Sequence, residues 1–170
     1  MSRQNKYKIP FVGLKSGEHH FEFIIDDKFF SDIEYSLIND ANIRVGLILN
    51  KQDSMMILDF NIEGTIKVTC DRCLEEFDLP VEGNNKLIIK TGDIPYEESE
   101  DIVVISKDEY ELDVAQYIYE FISLLRPMQA IHPDDSCDKA VLELLKRHAT
   151  KESGNVDPRW EALKGFFNKN

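Results

Sequence analysis

Apolar and polar residues along the chain follow a period that changes several times. Tyr7, Ile9 and Phe11 alternate weakly with polar neighbours, Gly13 and Gly17 mark turns, and residues 20–25 read as a strand. Asp26 or Asp27 can cap a following helix, in which Phe29, Phe30, Ile33, Leu37 and Ile38 recur at three- and four-residue spacing up to Asn39. From Ala41 to Thr91 the chain turns to short runs rich in Ile, Val, Leu, Phe and Thr, at 43–49, 55–61, 65–70, 76–81 and 86–90. Turn-like residues at 50–53, 63–64 and 83–85 separate several of them, which points to an antiparallel meander. Gly64 reads either as a turn or as a bulge inside one longer strand.

Beyond the meander, residues 101–105 (Asp-Ile-Val-Val-Ile) add a further strand within an acidic stretch. Leu112, Ala115, Ile118, Ile122 and Leu125 then share one helical face, with Tyr117, Tyr119 and Phe121 on the other sides, so this helix is expected to pack centrally. Arg126-Pro127 ends it, because proline disfavours the helical conformation in the residue before it. Ser136 can cap another helix that places Cys137, Val141, Leu144, Leu145 and His148 on one face. After a polar linker at 151–156, Asp157-Pro158 is a helix start, followed by an apolar stripe of Trp160, Leu163 and Phe167. The expected class is therefore α+β: an antiparallel β meander packed with several amphipathic helices, with a helical C-terminal part. Residues 1–126 would form the core domain, and 127–170 a loop and helical extension packed on it or tethered to it.

Composition narrows this picture. The chain has 170 residues, 42% apolar and 31% charged, in the range of an ordinary globular protein with a core of its own. Its longest apolar stretch, 117–125, falls short of the roughly 20 residues that a membrane-crossing helix needs. Pro10, Gly13, Lys15 and Glu18 interrupt any apolar leader, so no secretory signal is expected and a cytoplasmic location is. A net charge of −12 repels a phosphate backbone and favours a basic protein partner. Negative charge concentrates between Asp93 and Asp113, where Glu97, Glu98, Glu100, Asp101, Asp108 and Glu109 are the candidate partner-binding residues and Lys107 is the one cation. A local basic patch near Lys146, Arg147 and Lys151 is the alternative, a direct RNA-binding surface.

Three cysteines form an odd set for a disulfide framework, so the closely spaced Cys70-x-x-Cys73 points to metal or redox chemistry, or to reduced structural cysteines. The pair falls where a β run meets a turn, and a turn brings both sulfurs to one side of a tetrahedral zinc. Two more donors are then required. His132 and Cys137 are the best, giving Cys70, Cys73, His132 and Cys137 as a closed set, with His19, His20 and His148 as weaker options. A redox role would need Cys70 at a helix N-terminus, where the dipole lowers the thiol pKa. No glycine-rich phosphate loop, G-x-S-x-G elbow or H-E-x-x-H pair is present, and paired carboxylates such as Glu75-Glu76 read as a solvated face. The chain is expected not to be an enzyme.

Val68-Thr-Cys-Asp-Arg-Cys-Leu-Glu-Glu-Phe77 after a β meander, then Glu111-Leu-Asp-Val114 leading into an apolar helix, then the loop at Pro127, resembles the YceD family of large ribosomal RNA subunit accumulation proteins. The Ile131-His-Pro-Asp134 loop and the closing Asp157-Pro-Arg-Trp-Glu-Ala-Leu163 are similar to the form of the family found in Bacteroidetes. The resemblance implies a non-enzymatic role in the synthesis, processing or stability of large-subunit (23S) ribosomal RNA, with a ribosomal protein or large-subunit precursor as partner. It also implies one structural zinc, because many relatives carry a second cysteine cluster in the loop after the apolar helix. Here that loop keeps only His132 and Cys137.

Overall fold

Residues 6–34, 36–93, 96–99, 101–132 and 136–149 are described by the structure, a computed structural model. The chain falls into two compact units, residues 1–132 and 133–170. In the first unit three long strands, β3 (Ala41–Lys51), β4 (Met55–Thr69) and β5 (Glu76–Gly92), pair antiparallel in sequence order. β2 (Gly17–Ile25) adds to the outer side of β3, and β7 (Ile102–Ser106) lies parallel to β5. The short β6 (Tyr96–Ser99) closes that side, giving the order β2-β3-β4-β5-β7-β6. A separate clasp pairs β1 (Lys8–Ile9) with β8 (Leu112–Asp113).

Strict alternation makes these strands and decides which face is dry. Ile43, Val45, Leu47 and Leu49 of β3 and Met56, Leu58, Phe60 and Ile62 of β4 are all buried, while Arg44, Asn61 and Glu63 between them face solvent. Burying each such large aliphatic or aromatic side chain contributes about 1.5–3 kcal/mol. Across this face lies α2 (Ala115–Leu125), which buries Ile118, Phe121 and Ile122, with Phe121 edge-on to Phe60 at a ring separation of 5.1 Å. Tyr7, Phe29 and Phe30 extend the core in a chain of edge-to-face contacts at 5.0 and 5.2 Å.

The expected α+β class, a meander packed with several amphipathic helices and ending in a helical part, does not form. Among the described residues strands dominate, the sheet is mixed rather than a pure meander, and the α-helices number three, of 5, 11 and 10 residues. The helix expected over 26–39 stops as α1 (Asp27–Ser31). Phe29 and Phe30 are both buried, Leu37 is 72% exposed, and a turn closed by Ile33 N–H on Phe30 O sends the chain back so that Ile38 rejoins the core. Leu112, assigned to a helix by its spacing, pairs with Ile9 instead, and α2 is buried on one side only, with Leu124 76% exposed.

Residues 63–64 and 83–85 also differ from expectation, for they are not turns. Register runs unbroken through Ile43↔Gly64 and Ile62↔Gly83, so each lies inside a long strand, and Gly64 is not a bulge. In the second unit α3 (Lys139–His148) starts one residue after Asp138, whose side chain accepts from Ala140 N–H at 2.8 Å. Asp138, not Ser136, is the cap, so Cys137 precedes the helix rather than lying on its face. The linker at 151–156 and the helix expected from Asp157 to Phe167 lie outside the described residues.

Candidate metal centre

β4 ends at Thr69 and β5 begins at Glu76, so Cys70 and Cys73 sit in the connection between two paired strands. Cys70 N–H donates to Glu75 O at 2.8 Å and Leu74 N–H donates to Cys70 O at 2.9 Å, which curls the six residues into a knuckle. The curl turns backbone donors inward, and Arg72 N–H lies 3.4 Å from Cys70 Sγ. Leu74 completes the turn at φ 62°, a left-handed conformation that costs most L-residues about 1–2 kcal/mol. Its side chain is 77% exposed, so little burial compensates. Leu74→Asn is expected to raise the unfolding free energy by about 1 kcal/mol in a urea titration, since Asn tolerates this conformation.

His132 reaches the knuckle from the loop that follows α2. Its Nδ1 lies 3.3 Å from Cys73 Sγ, and its ring packs on Phe77 with centroids 4.4 Å apart. Cys70, Cys73 and Cys137 are all buried and none is in a disulfide. The ligand atoms of Cys70, Cys73, His132 and Cys137 all lie within 4.8 Å of one another. Burial pushes the Cys70 thiol up, but the backbone N–H groups of His132, Cys73 and Arg72 and the Cys73 thiol outweigh it and bring the pKa down to about 6. A thiolate at this position is therefore favoured near neutral pH, the form that a metal needs.

This donor set fits zinc. Tetrahedral bonds of about 2.3 Å to sulfur and 2.0–2.1 Å to nitrogen hold neighbouring ligand atoms roughly 3.5–3.8 Å apart. No pair of these ligand atoms exceeds 4.8 Å and His132 Nδ1 lies 3.3 Å from Cys73 Sγ, close enough to close on an ion, and three sulfurs with one imidazole are a structural type of donor set. Backbone N–H groups aimed at sulfur supply the outer shell that fixes such ligands. Redox chemistry is not favoured by the same geometry: Cys70 lies in a strand connection, not at a helix N-terminus.

The weaker histidines are placed elsewhere. His19 Nε2 is bonded to Lys15 O at 2.8 Å, His20 is exposed on β2, and His148 is exposed in the last turn of α3. Of the acidic residues, Asp101, Asp108 and Glu109 are exposed, and Lys107 pairs with Asp93 at 2.7 Å. The side chains of Glu97 and Glu98, and all of Glu100, lie outside the described residues, as does Lys151. The spacing of the chain gave no signal for Leu74 or Phe77, whose parts in the knuckle are a left-handed turn and a ring packed on His132.

These features define a mostly β protein whose central hairpin ends in a cysteine knuckle, closed over by a histidine-bearing loop into a Cys3His cluster. The chain belongs to the YceD family, described as large ribosomal RNA subunit accumulation protein YceD, whose family model matches residues 58–167, more than half of the chain. That span runs from the first third of β4 through the knuckle, α2 and α3. No curated protein matches the chain, and no solved structure does. No helix among the described residues is long and apolar enough to cross a membrane.

Proposed function

We propose that the chain is a non-enzymatic assembly factor that supports large-subunit ribosomal RNA by binding a basic ribosomal protein or a large-subunit precursor, and that Cys70, Cys73, His132 and Cys137 hold one structural zinc. The observation that carries the first part is the family match over 58–167. The acidic stretch supports a basic partner: Asp101, Asp108 and Glu109 are exposed, and Lys107, the one cation in the sequence of that stretch, pairs with Asp93. Such a surface steers a cationic partner toward it, most strongly at low salt. Zinc, when bound, would cross-link the knuckle to the loop that follows α2. Its role there is mechanical, with the thiolates and the imidazole as the whole ligand set.

Purification of the tagged full chain at low salt should recover large-subunit ribosomal proteins or 23S precursors. Reversing charge in an Asp101→Lys, Asp108→Lys, Glu109→Lys triple variant should cut that recovery by about tenfold or more, as rim charges act on association and its salt dependence. Recovery of no ribosomal component contradicts the proposal, and recovery that charge reversal leaves unchanged contradicts the acidic surface. A second reading draws on Lys146 and Arg147, both exposed in the last turn of α3. Pure protein that shifts 23S fragments, with a steep loss of affinity as salt rises, would favour direct RNA contact instead.

A further inference from the structure

The cluster depends on a loop that must carry His132 back to the knuckle, and one residue grips that loop at two points. Asp71 N–H donates to Ala130 O at 2.8 Å, and Ala130 N–H donates to Asp71 Oδ2 at 2.7 Å. We infer that Asp71 is the positioning residue of the centre: its carboxylate fixes the loop so that His132 meets the cysteine sulfurs. This rests on reading the cluster as a metal site.

Asp71 lies between the two knuckle cysteines, so any group that it holds is registered directly against their sulfurs. Ala130 is 1% exposed, so its N–H has no water to turn to, and the Asp71 carboxyl oxygen accepts from a donor that would otherwise be buried unpaired. Two bonds to one residue set direction as well as position. Two residues further on, the His132 ring stands 3.3 Å from Cys73 Sγ and packs on Phe77. Asp71 acts on the imidazole through Ala130.

The test uses the full chain with cobalt(II), a spectroscopic stand-in for zinc, and three variants. Asp71→Ala is expected to weaken cobalt binding by about 10–100-fold, the usual cost of losing an outer-shell partner. Its ligand-field bands should move toward those of His132→Ala, because the imidazole is no longer held. Asp71→Asn should restore affinity and spectrum, since its amide oxygen accepts the same N–H. Wild-type affinity and bands in folded Asp71→Ala would overturn the inference, as would Asp71→Asn behaving like Asp71→Ala. Amide exchange at Ala130 in metal-free protein reads the clamp alone. Protection lost in Asp71→Ala supports it, and unchanged protection overturns it. If wild-type protein bound no cobalt at all, the metal reading itself would fail, while the exchange result would still decide on the clamp.

Discussion

Removing metal with a strong chelator is expected to lower the thermal midpoint of the protein by about 10 °C while leaving most of its strand signal in far-ultraviolet circular dichroism. A ligand present at a thousand times its dissociation constant stabilises the native state by about 4 kcal/mol, and in a chain of this length each kcal/mol is worth about 2–4 °C. The effect is smaller than the roughly 10–16 kcal/mol of zinc-finger peptides. There the metal is the core, whereas here β2 to β5 and α2 bury a large apolar core of their own. The loss should be confined to the knuckle and to the loop at 127–132. Cys70→Ser should show the lowered midpoint without chelator and no further response to it. Equal midpoints with and without chelator in the wild-type chain would count against the site.

Gly64→Ala is expected to cost about 3 kcal/mol of stability, measured as a shift in the urea midpoint at constant slope. Gly64 has φ 155°, and a Cβ there would strike the carbonyl oxygen of Asn42 and come within 2.7 Å of Ile43 Cα, both parts of the neighbouring backbone. Backbone in a paired strand cannot step aside as a side-chain tip can. Gly46 is the control from the adjacent strand, since the nearest atom to a Cβ there is Asn61 O at 3.9 Å. Gly46→Ala should be neutral or gain up to about 1 kcal/mol through the reduced freedom of the unfolded chain. Equal losses at the two positions would show that close approach of the strands is not what Gly64 serves.

Those two glycines also show what a linear pattern conveys and what it does not. The apolar runs at 43–49, 55–61, 76–81 and 86–90 fall inside β3, β4 and β5, and the run at 65–70 overshoots β4 by one residue, because β-branched and aromatic residues mark strands locally. The lengths of β4 and β5 were not legible in the same way. Gly64 permits the approach of β3, and Gly83 makes room for Leu125 of α2, whose Cδ2 would collide with an added Cβ. Both reasons lie far away in sequence, where a local pattern offers a turn at Gly83 and a turn or a bulge at Gly64. The helix over 26–39 failed for a similar cause, since its spacing could not show that Phe29 and Phe30 would both be claimed by the core.

The cluster itself was the most legible part of the site. Cys70, Cys73, His132 and Cys137 are soft or borderline donors in a chain with few of either kind, and the fold brings their ligand atoms together. What stayed hidden was the support around them. Asp71 reads as an ordinary turn residue until Ala130 is seen beneath it, and nothing in a leucine announces the left-handed turn at Leu74.

Elemental analysis of the full chain, purified without chelators or metal-affinity resin, bears most directly on the central claim. The Cys3His arrangement predicts about one zinc per chain in the wild type and none in Cys70→Ser. Wild-type protein free of zinc and other transition metals would contradict it, and would leave the cysteines as buried residues of a strand connection.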